Sequence, residues 1–240
     1  MGRAKCFFLF AFFIFQSAVY SQSIDEQSAG SWLEFSGTNK LSEHWSIPLS
    51  GILRHHDLFD SYDFSFIRTG ASFHFNKTTT LTGGIAHVNT KTYMDTGETS
   101  HIYQYWIYEE FSLKQPLRRG VLSHRWRLEN RWIRNNNETH FNNRARYRLL
   151  FHRPIRGNYY ITTFNELFVN LSGAFFNQNR FYIGLGRALS PNLKVDIGYL
   201  KNHFPHSYLG AIRMGISFTL DVRSKTNSGK ADVTTLLPPP

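Results

Sequence analysis

Residues 122–133 read LSHRWRLENRWI, and residues 141–152 read FNNRARYRLLFH. In the first stretch Trp126, Leu128 and Trp132 alternate with three arginines and Glu129, and the second stretch alternates in the same way. A β-strand places successive side chains on opposite faces. Each stretch therefore predicts a strand with one apolar face and one charged face.

The same two-residue alternation recurs along most of the chain, and helical periodicity is not sustained after residue 21. It predicts strands at 31–37, 44–54, 64–75, 79–89, 102–114, 122–133, 141–152, 158–170, 178–187, 193–201 and 209–221. Many of these segments have about 10 to 14 residues, which is longer than a usual strand and enough to cross a bilayer when tilted. The fold class is therefore all-β.

The segments between the strands alternate in length, from short ones such as 76–78 to long ones such as 90–100. Short turns at one end and longer loops at the other are typical of an outer-membrane barrel. We predict an antiparallel up-and-down transmembrane β-barrel of 10–12 strands. Because single-chain bacterial barrels have even numbers of strands, the eleven recognised segments indicate ten or twelve.

The two ends of the chain differ from the middle. Arg3, Lys5 and the apolar run Phe7–Phe15 predict a signal peptide over 1–21, since nine apolar residues are too few to span a bilayer. Residues 22–29 are an N-terminal extension, 30–223 the barrel and 224–240 a polar, disordered tail that ends in three prolines. The only cysteine, Cys6, lies in the leader. The predicted location is the outer membrane of a Gram-negative cell.

The net charge of +10 is concentrated in one region: residues 118–156 contain eleven arginines, no lysine and two acids. Arginine stays charged when partly buried and pairs with carboxylates through a rigid fork, so it suits a confined lumen. We predict an ion-pair network that fills the lumen; an anion-selective or anion-binding lumen is the alternative. The network residues are Glu110, Arg125, Arg127, Glu129, Arg131, Arg144, Arg146, Arg148, Glu166 and Arg180.

The sequence carries little that indicates catalysis. Ser123 and His124 are adjacent, so a strand places them on opposite faces, and His55-His56 beside Asp57 is too common a pattern to indicate a metal. No catalytic residue, cofactor or metal is predicted. The expected partners are outer-membrane lipid and, for the anion alternative, a small anionic solute; export argues against a nucleic-acid partner.

Three functions remain open. The leading one is a structural barrel or a narrow, anion-preferring channel. The alternatives are a barrel-embedded lipid hydrolase or acyltransferase, and a soluble secreted β-barrel that binds a hydrophobic ligand.

Several motifs together resemble a known family. They are the two stretches quoted above, the run NELFVN at 165–170 followed by NQNRFYIGLG at 177–186, and LSEHWSI at 41–47. In combination they are similar to the domain of unknown function 2490 family, exported proteins found mainly in Bacteroidetes. The resemblance covers residues 30–221 and implies an outer-membrane-type β-barrel with no established activity.

Overall fold

The computed structural model describes residues 30–93, 97–135 and 138–223. These residues form eleven strands: β1 (Gly30–Lys40), β2 (Trp45–Asp57), β3 (Asp60–His74), β4 (Thr79–Tyr93), β5 (Thr99–Leu117), β6 (Gly120–Asn135), β7 (Glu138–Pro154), β8 (Tyr159–Asn170), β9 (Phe176–Ser190), β10 (Leu193–His203) and β11 (Tyr208–Asp221). No helix in these ranges is long and apolar enough to cross a membrane. The predicted signal peptide (1–21), extension (22–29) and tail (224–240) lie outside the described residues.

The strands pair in chain order and close into a barrel, which confirms the predicted all-β barrel. Most strands are longer than predicted, and β5 reaches 19 residues. The connections have two to five residues at both ends, so the predicted alternation of short turns and long loops is wrong. Residues assigned to loops continue the ladder instead: Arg134 pairs with Thr139, and Asn135 with Glu138.

The barrel closes between β1 and β11, which run parallel from the pair Gly30↔Ala211 to the pair Lys40↔Asp221. The expectation of an even strand number with antiparallel pairing throughout is therefore wrong. In an up-and-down meander with an odd number of strands the first and last strands point the same way, so closure between them is parallel. We call the two ends of the barrel the Gly30 end and the Lys40 end, after the two termini of β1.

Many large apolar residues of the strands point outwards, while two buried apolar clusters, around Trp32 and around Trp106, lie inside the barrel. Ile85 is 61% exposed and Ile183 is 49% exposed, although both lie within strands. The charged residues point inwards, and Glu129 is 1% exposed. The barrel interior thus carries many charged residues, unlike the apolar interior of a soluble barrel.

The Lys40 half of the interior is filled by tyrosines that lie against glycines. A β-carbon on Gly184 would lie 2.0 Å from Tyr182 Oη, and one on Gly186 would lie 2.1 Å from Tyr160 Cζ. The Tyr160 hydroxyl donates to the Val195 carbonyl at 3.1 Å. These glycines make room for the rings inside a narrow wall.

Candidate functional site: the arginine-lined lumen

The charged residues of β5 to β8 project into the lumen because they occupy alternate positions on each strand. Register then brings them side by side: Glu110 is paired with Arg127 on the adjacent strand, and Glu129 with Arg144. Glu166 on β8 is paired with Arg148 on β7. Three carboxylates and a larger number of guanidinium groups thus share one level of the barrel.

Six of these residues form a closed cycle in which glutamate and arginine alternate. We call it the ion-pair ring; its members, in order, are Glu110, Arg125, Glu166, Arg146, Glu129 and Arg127. The N···O distances are 3.7 Å from Arg125 to Glu110, 2.5 Å from Arg125 to Glu166 and 2.8 Å from Arg146 to Glu166. Arg146 reaches Glu129 at 2.6 Å, and Arg127 lies 3.5 Å from Glu129. Arg127 closes the cycle by donating to Glu110 through Nε at 2.7 Å.

Two further arginines attach to the ring from outside it. Arg68 on β3 donates to Glu110 at 3.2 Å, and Arg144 on β7 donates to Glu129 at 2.8 and 2.6 Å. The side chain of Glu129 is fully buried and that of Glu166 is 2% exposed. Buried carboxylates are stable only when charge-assisted hydrogen bonds offset their lost hydration. The ring and its two attached arginines supply those bonds and tie β3 and the strands from β5 to β8 together through the lumen.

A second, smaller cluster fastens the parallel seam. Arg213 on β11 donates to Glu34 on β1 at 2.9 Å and also to Asp196 on β10. The Tyr182 hydroxyl donates to Asp196 at 2.5 Å. The sequence prediction missed this cluster, and also missed Arg68. The signal was present, since all of these residues lie at polar positions of alternating strands, but they lie outside the arginine-rich region.

Three predicted network residues are not in the ring and have no carboxylate within 4.0 Å in the described chain. Arg131 donates to Asn142 Oδ1 at 2.5 Å. Arg180 donates to Asn202 Oδ1 at 2.8 Å and lies 4.7 Å from the Trp32 ring centroid. Arg148 lies 5.6 Å from the Phe164 ring centroid. The structure therefore brings seven of the ten predicted residues into ion pairs and leaves these three in other surroundings.

A cavity of about 250 Å³ lies on the Gly30 side of the ring. Ring residues such as Arg125 and Glu166 form its floor, and Phe204 in the β10–β11 connection lies at its far end. Arg131, Arg148 and Arg180 all line it. In the described chain the lumen carries ten arginines and six carboxylates, and each of these carboxylates contacts at least one of the arginines. They are Arg54, Arg68, Arg125, Arg127, Arg131, Arg144, Arg146, Arg148, Arg180 and Arg213, with Glu34, Asp63, Glu110, Glu129, Glu166 and Asp196.

Serine hydroxyls contact histidines at two places in the described residues, and one of these contacts is that of Ser31 Oγ with His55 Nδ1 at 3.3 Å. Ser46 Oγ lies 2.7 Å from His74 Nε2, but His74 Nδ1 contacts the Thr80 hydroxyl at 2.9 Å and no carboxylate. His124 contacts the Tyr147 hydroxyl at 2.9 Å on the outer face. Acyl transfer by serine needs an acid or its equivalent to orient the histidine, which the contacts of His74 do not supply.

Metal ligands do not cluster in the described ranges either. No group of three or more histidine, cysteine, aspartate or glutamate side chains there could hold a metal ion. His56 instead lies 3.6 Å from Asp63, which Arg54 also contacts at 2.8 Å.

A family model described as a protein of unknown function, DUF2490, matches residues 29–208, about three quarters of the chain. No curated protein matches the chain.

Proposed function

The chain belongs to the DUF2490 family of proteins of unknown function, and from that premise and the fold we propose that it is a β-barrel of the outer membrane with a side-chain-filled lumen. The single observation that carries the proposal is the inversion of its two faces. Apolar side chains cover the outside, and arginine–glutamate pairs fill the inside. Bilayer-spanning barrels have this arrangement, with an apolar band outside and a polar interior.

The outer face supports the proposal in detail. Ile67, Ile107, Leu128 and Ile197 are each about half exposed near the middle of their strands. A soluble barrel does not leave so continuous an apolar surface in water. Lipid is accordingly the expected partner of this face.

Aromatic clusters lie near both ends of this apolar surface. At the Lys40 end Trp45 packs on Phe73 with ring centroids 5.1 Å apart, and Phe73 packs on Phe75. At the Gly30 end Trp132 and Phe141 have centroids 5.2 Å apart. Aromatic girdles at the two interfaces are typical of membrane barrels.

Glu109 departs from the apolar pattern of the outer face. Glu109 lies near the middle of β5, is exposed on the outer face, and is paired in register with Gly83 and Leu128. A carboxylate on the lipid-facing surface lowers stability in a bilayer. Substitution of Glu109 is therefore a sensitive test of whether the outer face contacts lipid or water.

The interior supports a structural barrel in preference to an open pore. The ring and its attached arginines join side chains from β3 and from β5 to β8 across the lumen, and tyrosines fill the Lys40 half. Small barrels have lumens that side chains can fill. A barrel that bound a purely hydrophobic ligand would need a lumen without charged walls, whereas arginines and glutamates line much of this one.

A narrow, anion-preferring channel is the second candidate. The described lumen has ten arginines and six carboxylates, so it carries four more arginines than carboxylates. This excess favours a channel for anions, since a positive lumen attracts them. Planar-bilayer recordings separate the two candidates. A side-chain-filled barrel gives no conductance steps, whereas a channel gives steps with a larger permeability for chloride than for potassium.

Cell fractionation tests the location. We expect the protein in the outer-membrane fraction, shortened by removal of residues 1–21, with a heat-dependent change of migration in detergent electrophoresis. Recovery as a soluble periplasmic protein would overturn the proposal.

A further inference from the structure

The cavity between the ion-pair ring and the Gly30 end has the features of a binding site for a small anion. We propose that it binds a small organic anion, an aromatic or similarly flat apolar body that bears a carboxylate or a phosphate. The inference concerns the lumen alone, so it does not depend on whether the outer face meets lipid.

The first argument is unbalanced charge. Arg131, Arg148 and Arg180 line the cavity without a carboxylate within 4.0 Å in the described chain, whereas each ring arginine contacts two. A buried charge without a counter-charge is strongly unfavourable. An anion in the cavity would supply the missing counter-charge to three cations at once.

The second argument is unused hydrogen-bonding capacity. The Nε atoms of Arg131 and Arg148 are buried and have no hydrogen-bond partner in the described part of the chain. Arg131 as a whole is 6% exposed. Buried polar groups are normally satisfied, and guanidinium N–H groups match carboxylate and phosphate oxygens well. The unsatisfied donors therefore indicate an acceptor of that kind.

The third argument is the nature and size of the remaining walls. Trp32, Trp106, Phe64 and Phe66 line the same cavity as the arginines, and Leu200 adds an aliphatic surface. Arginines already lie over Trp32, Phe64 and Trp106. A flat apolar body would in addition pack on the ring surfaces that face the cavity, which an inorganic ion would not do. The volume of about 250 Å³ limits the ligand to the size of a small metabolite.

The source of the ligand follows from where the arginines lie. They project into the lumen, and the barrel wall separates them from any lipid on the outer face. The cavity extends to the β10–β11 connection at the Gly30 end. A dissolved anion that enters from the Gly30 end therefore fits better than a lipid headgroup.

The test uses 4-nitrophenyl phosphate, which combines a flat ring with a phosphate and absorbs light. Titration calorimetry of the purified protein in a non-ionic detergent should show saturable binding of this probe and none of the uncharged 4-nitrobenzyl alcohol. Arg148→Gln should weaken binding about tenfold or more, because it removes a donor that binds a charged group. Arg118→Gln is the matched control, since Arg118 is an exposed arginine in the β5–β6 turn, at the opposite end. It should leave the affinity unchanged.

Fluorescence of the wild-type protein gives a reading that does not depend on a variant folding. Bound 4-nitrophenyl phosphate should quench Trp32 and Trp106, which line the cavity, and Trp32→Phe should reduce that quenching. The proposal is overturned if the probe does not bind, if binding leaves the fluorescence unchanged, or if Arg118→Gln weakens binding as much as Arg148→Gln. The last result would assign binding to the basic surface at the Lys40 end.

Discussion

Arg146→Leu should destabilise the barrel more than any change at a neighbouring lumen arginine. Arg146 joins two carboxylates of the ring: it donates to Glu129 at 2.6 Å and to Glu166 at 3.0 and 2.8 Å. Leucine would remove all three bonds and leave two buried carboxylates each short of one partner. Breaking a buried ion pair in this way costs about 3 to 5 kcal/mol.

We expect the lower end of that range because neither carboxylate loses all of its partners. Glu129 keeps Arg144 at 2.6 Å, and Glu166 keeps Arg125 at 2.5 Å. A loss of about 3 kcal/mol corresponds to a change of roughly 150-fold in the folding equilibrium. The measurement is urea unfolding in detergent micelles, followed by tryptophan fluorescence.

Arg148→Leu is the matched control. Arg148 lies two residues further along β7 on the same inner face, but contacts no carboxylate within 4.0 Å in the described chain. Its replacement removes an unpaired cation, so we expect a loss below about 1 kcal/mol. Equal losses for the two variants, or wild-type stability for Arg146→Leu, would refute the idea that the ring stabilises the fold.

Three further variants test other parts of the structure. Gly184→Ala should lose about 1 to 3 kcal/mol of stability because its β-carbon meets an interior tyrosine, whereas Gly83→Ala, which has open space, should lose almost none; equal losses in urea unfolding would contradict the packing. Glu109→Leu should stabilise the protein in lipid vesicles, and destabilisation would argue that this surface meets water. The pair Ser36→Cys and Ser217→Cys should form a disulfide across the parallel seam, since their hydroxyls lie 2.9 Å apart; a folded protein with both thiols free by mass spectrometry would speak against that register.

Much of the fold could be predicted because alternation is a local property of the sequence. Each predicted strand is present, and only the ends differ, since turns such as that after Asn135 contain polar residues that also fit a strand end. The parallel seam could not be predicted in this way. Closure depends on the total number of strands, and the expected even number excluded the arrangement that the chain adopts.

The partner of each lumen arginine could not be predicted from the sequence, for a different reason. Composition indicates that arginines and glutamates share the lumen, but each choice of partner depends on the width of the barrel and the slant of its strands. Arg125 on β6 thus meets Glu166 on β8, across an intervening strand, while Arg180 finds an asparagine and an aromatic ring. Glu34 pairs with Arg213 only because the barrel closes, whereas Asp196 reaches Arg213 from the adjacent strand β10.

The central claim, that the apolar outside of the barrel meets lipid, is tested most directly by quenching with brominated phospholipids. Trp126 lies at the middle of β6 on the outer face and is 41% exposed, while Trp32 is 2% exposed inside the lumen. In vesicles of lipids brominated along their acyl chains, a variant that keeps only Trp126 should be strongly quenched, and one that keeps only Trp32 should be quenched weakly. Equal, weak quenching of both in the folded, vesicle-associated protein would contradict the account.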